Sequence, residues 1–190
     1  MIDPFDITNY NRNKYELQEF LIFSICVAGK TAKQISIALD EFLKPCKKLR
    51  MKPFDLIRKY IEDNILLEKI KESSLGKHFL LLKGLYQIVN ADLDLEKCKP
   101  EDLEKIHGIG QKTSRFFILH TRPAQNIAVL DTHILRYIRE VLGYKKVPKS
   151  TPSSQRLYQE LEKIFIQDAR EKRKTVAQWD LEIWKMYARA

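Results

Sequence analysis

Two side chains in this sequence have the type and setting of a covalent active site, Lys112 and Asp131. Each stands at the start of a segment with helical periodicity, 113–120 and 132–141, so the two can face one cleft. A lysine amine is a nucleophile when neutral, but an unperturbed one is neutral in only about one molecule in 2,500 at pH 7. A carboxylate beside it can hold or deprotonate the amine and stabilise positive charge that develops nearby. Both residues also have ordinary uses. Asp131 is a good N-cap, which is worth about 1 kcal/mol to a helix, and Lys112 can simply neutralise a phosphate. His133 and His107 have the chemistry of proton shuttles, or of structural and solvent-facing histidines.

The surrounding stretch reads LEKIHGIGQKTSRFFILHTRPAQNIAVLDTHILRYIRE, residues 103–140. Gly108 and Gly110 flank Ile109, so the chain can turn sharply while the isoleucine anchors the turn in a core. The helix that follows points free N–H groups and the positive end of its dipole outward, which suits a phosphate. The expected DNA contacts are therefore His107, Gly108, Ile109, Gly110, Gln111 and Thr113. A Walker A loop is excluded. Its spacing is longer than Gly-x-Gly-x-Lys-Thr, and it follows a strand rather than a helix. A Gly-x-Gly turn between helices with no DNA role stays open on these residues alone.

Helical periodicity recurs along most of the chain, and no alternating strand pattern bounded by hairpin turns is present. Apolar stripes mark segments 15–28, 31–43 and one from Pro53 through Ile57, Ile61 and Ile65. A further segment, 75–89, carries Phe79, Leu82 and Tyr86. Shorter ones cover 101–106, 113–120 and 132–141. One then passes through Leu157, Leu161, Ile164 and Phe165, and a last one, 176–188, carries Trp179, Ile183 and Met186. About nine short helices make an all-α protein, with the Lys-, Pro- and Ser-rich stretch 145–154 as the clearest linker.

The net charge of +9 calls for a polyanionic partner, nucleic acid being the commonest. Three scattered cysteines, Cys26, Cys46 and Cys98, have no metal-ligand spacing and suit a reducing compartment. The polar start, MIDPFDITNYNRNKYE, does not read as a secretory signal. The expected setting is intracellular, cytoplasmic at the nucleoid or nuclear, with no membrane association.

These residues carry two resemblances. LxxIxGIGxKT resembles the helix-hairpin-helix element of many DNA-binding proteins, and IAVLDTHILRY is similar to the segment after the hairpin in endonuclease III-like DNA glycosylases. The conjunction implies a two-lobed, all-α DNA glycosylase of the helix-hairpin-helix superfamily. A six-helix barrel would span 20–131, with the hairpin at about 101–121, and residues 1–19 with 132–190 would form the second lobe.

The resemblance also implies chemistry. Lys112 and Asp131 are the expected catalytic pair, and a lysine at that position goes with a bifunctional enzyme. Such an enzyme removes a base through a Schiff base and nicks the strand by β-elimination. The partner is double-stranded DNA carrying a damaged base, bound by a monomer. Lys30, in a loop with Gly29 and Thr31, is expected to reach the gap left by the extruded base. Phe116, Trp179 and Trp184 are the candidates for touching that base.

No cofactor is expected, although family hairpins often hold Na+ or K+ through backbone carbonyls. The sequence has no cysteine after Asp131, so the iron–sulfur cluster of the endonuclease III group is not expected. The C-terminal W-D-L-x-x-W pattern resembles the last helix of small prokaryotic 8-oxoguanine glycosylases, so an oxidised base is the expected target. Those relatives continue to a terminal lysine that this sequence does not have. The competing readings are a hairpin protein that binds DNA without chemistry and a monofunctional glycosylase for alkylated or mismatched bases.

Overall fold

The computed structural model describes residues 1–188; residues 189 and 190, the end of the expected second lobe, lie outside the described residues. Ten helices and no strand are found among the described residues. They are α1 (Lys14–Cys26), α2 (Ala32–Leu49), α3 (Pro53–Glu62), α4 (Leu66–Glu72), α5 (His78–Asn90), α6 (Pro100–Leu103), α7 (Gln111–Thr121), α8 (Thr132–Glu140), α9 (Gln155–Glu171) and α10 (Val176–Ala188). The all-α expectation holds. No helix among the described residues is long and apolar enough to cross a membrane.

Apolar burial falls into two cores. The first gathers α1 to α7 around α1, where Phe20, Leu21, Ile22, Phe23 and Ile25 are all enclosed. Helix α1 is apolar nearly all round, as a central helix must be, and it starts at a capping box between Asn13 and Glu16. The second core joins α8, α9 and α10 through Tyr137, Tyr158, Phe165 and Ile183. Phe116 on α7 and Ile127 pack against both, so α7 is shared between the lobes.

The packing differs from the expected lobe division at both ends. Ile7 and Leu17 enter the first core, while Ala128, Val129 and Leu130 enter the second. The N-terminal segment is held there by Arg12. Its guanidinium donates to the carbonyls of Ile7 (2.6 Å), Asn9 (2.7 Å) and His120 (2.8 Å), and it lies 4.1 Å from the centre of the Phe20 ring. These are nonlocal bonds that a local sequence pattern does not reveal.

Three helix assignments also change. Asn64 takes a left-handed conformation (φ 57°) after α3, so Ile65 opens a separate α4 instead of continuing the Ile57 stripe. Helix α2 runs past Leu43 and through Pro45 to Leu49. On α5 the buried face is Leu81, Gly84, Leu85 and Ile88, whereas Phe79 and Tyr86 are 74% and 54% exposed. The segment HFLLLKGLYQIV is apolar on every side, so periodicity alone could not choose its inner face.

Candidate active site

The hairpin turn rests directly on α5. A Cβ added to Gly84 would stand 2.6 Å from the His107 carbonyl oxygen, so the absence of a side chain lets the two backbones touch. Gln87 on the same helix accepts from the His107 N–H at 2.6 Å. Gly108 adopts φ +87° with Leu80 packed against it, and Ile109 anchors the turn in the first core.

Gly110 is the N-cap of α7 and has no side chain to cap it. The N–H groups of Gln111, Lys112 and Thr113 are therefore left without an intrahelical acceptor, at the positive end of the helix dipole. Behind the turn, Arg115 ties α7 to the second lobe. It pairs with Glu104 at 2.9 Å and Glu162 at 3.1 Å and stacks over Tyr158.

Asp131 is positioned from the other lobe. The apolar run before it is clamped by α9: Tyr158 Oη donates to the Ala128 carbonyl (2.8 Å) and accepts from the Leu130 N–H (3.2 Å). Glu162 accepts from the Ala128 N–H, and Thr151 donates to the Leu130 carbonyl. Asp131 then caps α8, its Oδ1 accepting from the N–H groups of His133 (2.8 Å) and Ile134 (2.9 Å). Its Oδ2 makes no hydrogen bond among the described residues and is left for other work.

Lys112 and Asp131 line the same cleft, whose volume is about 760 Å³. The α1–α2 loop contributes Gly29, Lys30 and Thr31 to its wall, and the first turn of α2 contributes Lys33. Phe116 and Thr113 join from α7, His133 from α8, and Asp180 and Trp184 from α10. Phe5, on the N-terminal segment, packs edge-on to Trp184 with ring centres 5.5 Å apart. Lys30 is exposed, with its ammonium beside Gly76. His107, Gly108 and Gly110 are also exposed, on the hairpin, and Gln111 is half-buried. Ile109 and Thr113 are buried, the threonine against the cleft. His133 stacks with Tyr187 at 6.1 Å between ring centres.

Trp179 does not belong to the cleft. It is 8% exposed within the second core, and its indole N–H donates to Asp168 at 2.6 Å. Asp168 also accepts from the Tyr137 hydroxyl at 2.9 Å. Of the two tryptophans, which are too unevenly spaced to share one face, the helix turns Trp179 inward and Trp184 toward the cleft.

Asp180, His120 and Thr8 stand in no local sequence pattern that marks a site. His120 is fully buried, with Nδ1 2.8 Å from Thr8 Oγ1 and Nε2 3.3 Å from Asp180 Oδ2. Burial pushes the Asp180 carboxyl above the usual range. His120 opposes that shift, while the charge of Asp131 adds to it and that of Lys112 offsets it. The W-D-L-x-x-W pattern contained Asp180, but its partners come from α7 and the N-terminal segment, far away in sequence.

A turn of glycines backed by α5, an uncapped helix end and a lysine–carboxylate pair in one cleft define a helix-hairpin-helix DNA glycosylase. The family model described as 8-oxoguanine DNA glycosylase matches residues 1–174, and the chain belongs to that family. Among solved structures, it is similar to the Methanocaldococcus jannaschii 8-oxoguanine glycosylase/lyase in complex with 15mer DNA containing 8-oxoguanine. That match has a TM-score of 0.69 and 21% identity over 95% of this chain and 84% of the other. A second structure, of the Methanocaldococcus jannaschii 8-oxoguanine DNA glycosylase, gives a TM-score of 0.65 at 21% identity, covering 97% and 84%. These two likenesses extend the agreement in fold to nearly the whole chain.

Proposed function

We propose that this protein is a bifunctional 8-oxoguanine DNA glycosylase and AP lyase, with Lys112 as nucleophile and Asp131 as its carboxylate partner. The observation that carries the reading is the meeting of these two side chains, from different lobes, in one cleft. The damaged nucleotide leaves the stack, which costs least when the base is damaged or mispaired, and enters the cleft. The exposed hairpin and its free α7 N–H groups hold a phosphate of the distorted backbone, and Lys30 and Lys33 supply further positive charge at the cleft. Phe116 and Trp184 offer apolar faces to the extruded base.

The neutral Lys112 amine attacks C1′ of the deoxyribose. The bond from C1′ to the base breaks, and the base leaves with the electron pair and takes up a proton. The nitrogen gives up one proton, and its lone pair then forms the C1′–N double bond as the C1′–O4′ bond breaks. O4′ takes up a proton from water, leaving an open-chain protonated Schiff base at C1′. Loss of a C2′ proton then expels the 3′ phosphate by β-elimination. Asp131, with Oδ1 committed to the α8 cap, has Oδ2 to orient the amine and to stabilise positive charge on the sugar.

A monovalent cation held by backbone carbonyls suits the hairpin turn. Hard cations take such oxygen ligands, and a cation there would add positive charge beside the phosphate.

The reading is tested on a duplex carrying one 8-oxoguanine. Strand nicking without alkali is the expected result. Product that becomes a break only after alkali marks a monofunctional glycosylase, and binding with no product under either treatment marks a hairpin protein without chemistry.

A further inference from the structure

Asp131 is placed by the backbone run that precedes it, and that run is tied back to the helix of Lys112. Arg115 stands on α7 one turn after Lys112, with 8% of its side chain exposed. Its Nε donates to Glu162 Oε1 at 3.1 Å, and its guanidinium lies 4.6 Å from the centre of the Tyr158 ring. Tyr158 and Glu162 are four residues apart on α9, so they share one face of it. Together they grip the run. Glu162 Oε1, the oxygen that Arg115 holds, also accepts from the Ala128 N–H at 2.9 Å. Tyr158 Oη bridges the Ala128 carbonyl and the Leu130 N–H.

A buried ion pair is costly to desolvate, and apolar side chains of similar volume often replace one without loss of stability. What such a pair supplies is direction, because charge-assisted hydrogen bonds are short and fixed in geometry. Here the direction is passed on. The Asp131 N–H donates to the Val129 carbonyl at 2.8 Å, so residues 128–131 are a compact turn whose start is pinned by Glu162. Among the described residues Glu162 is not part of the cleft wall, and it acts on the cleft only through what it holds.

We propose that Glu162 is a positioning residue for the lysine chemistry. Held by Arg115, it fixes Ala128 and thereby sets where the Asp131 carboxylate stands relative to Lys112. The carboxylate of one lobe is in this way referenced to the helix that carries the lysine of the other. The proposal rests on the Lys112–Asp131 reading above. Reacting groups need such support, since a displacement of about 1 Å can cost on the order of 10²-fold in rate.

The test is a double-mutant cycle on the chemical step. Single-turnover borohydride trapping is measured on a preformed abasic duplex, at protein concentrations that saturate the DNA. The proteins are native, Glu162→Met, Asp131→Asn and the two changes combined. Glu162→Met is expected to slow trapping about tenfold or more. In the Asp131→Asn background the same change is expected to cost less than about twofold, because the carboxylate it positions is already gone. Both bonds to Glu162 end on Oε1, which a glutamine oxygen can replace, so Glu162→Gln is expected to stay within about threefold of native. Should Glu162→Met not fold, Arg115→Met with Glu162→Met removes the pair as a unit and is carried through the same cycle, with the same expectation. Equal losses in the native and Asp131→Asn backgrounds overturn the proposal and leave Glu162 a packing residue. Native-rate trapping in Glu162→Met, or a Glu162→Gln rate as low as that of Glu162→Met, also overturns it. An undiminished rate in Asp131→Asn alone sinks the lysine–carboxylate reading itself, and this proposal with it.

Discussion

Lys112 and Asp131 are held in different ways, and substitutions can separate their structural and chemical roles. Asp131 caps α8 through Oδ1 and leaves Oδ2 uncommitted. Asparagine caps a helix about as well as aspartate, so Asp131→Asn is expected to unfold within about 0.5 kcal/mol of the native protein. Its excision rate should fall on the order of 10²-fold, because the charge that stabilises the sugar is gone. Asp131→Ala should lose a further ~1 kcal/mol with the cap. Thermal melts paired with single-turnover rates measure both effects.

Asp180 gives the opposite balance. Its folded-state pKa is raised by burial, so its contribution to stability is favourable below the ordinary aspartate range and is lost as pH rises through the elevated value. Asp180→Asn is therefore expected to raise Tm near neutral pH, with the gain shrinking as pH falls toward ~4. A gain independent of pH would contradict this assignment. Lys112 and Asp131 were legible in the sequence because each sits at a helix start beside a recognisable local pattern. The Asp180–His120–Thr8 chain was not, because its three members are brought together only by tertiary packing.

At the scale of the elements, the hairpin depends on a residue that the motif does not contain. Gly84 gives the His107 carbonyl a place on α5, and a methyl group there would clash with backbone rather than with a flexible side chain. Gly84→Ala is expected to destabilise by about 1–3 kcal/mol, as overpacking in a filled core does. It should also weaken duplex binding by displacing the turn, which chemical denaturation and a DNA titration would show together. A variant with native stability and native affinity would mean that the hairpin does not rest on α5 as described.

The same helix shows why periodicity has limits. The stripe of Phe79, Leu82 and Tyr86 satisfied the 3.6-residue pattern, but the inner face is fixed by α3, α4 and the hairpin around Gly84. The second tryptophan was similar, since the buried Asp168 that accepts from Trp179 could not be foreseen from spacing. Where one face alone was apolar, as on α8, the sequence pattern and the buried residues Ile134, Leu135 and Ile138 agree.

At the scale of the whole molecule, two cores meet along α7, and the cleft draws on both. The loops, hairpin and α10 come together there, with Lys30, Lys33 and Lys112 in its wall. A chain of net charge +9 that neutralises about four phosphates should show log K falling with log salt at a slope of about −3.6. Affinity for an undamaged duplex is then expected to drop on the order of 10²-fold between about 50 and about 200 mM salt. A salt-independent affinity would contradict phosphate anchoring by these groups. The all-α class and the hairpin could be read from the chain, while the path of the N-terminal segment across both lobes could not. That path depends on Arg12 bonding to the end of α7.

The most direct test of the central claim is borohydride trapping on an 8-oxoguanine duplex, followed by peptide mapping of the adduct. The native protein is expected to give a covalent complex with the modification on Lys112. Lys112→Gln is expected to give none, with its excision rate lower by on the order of 10³-fold or more, while duplex binding is retained. An adduct on another residue, or an undiminished adduct in Lys112→Gln, would contradict the assignment of Lys112 as the nucleophile.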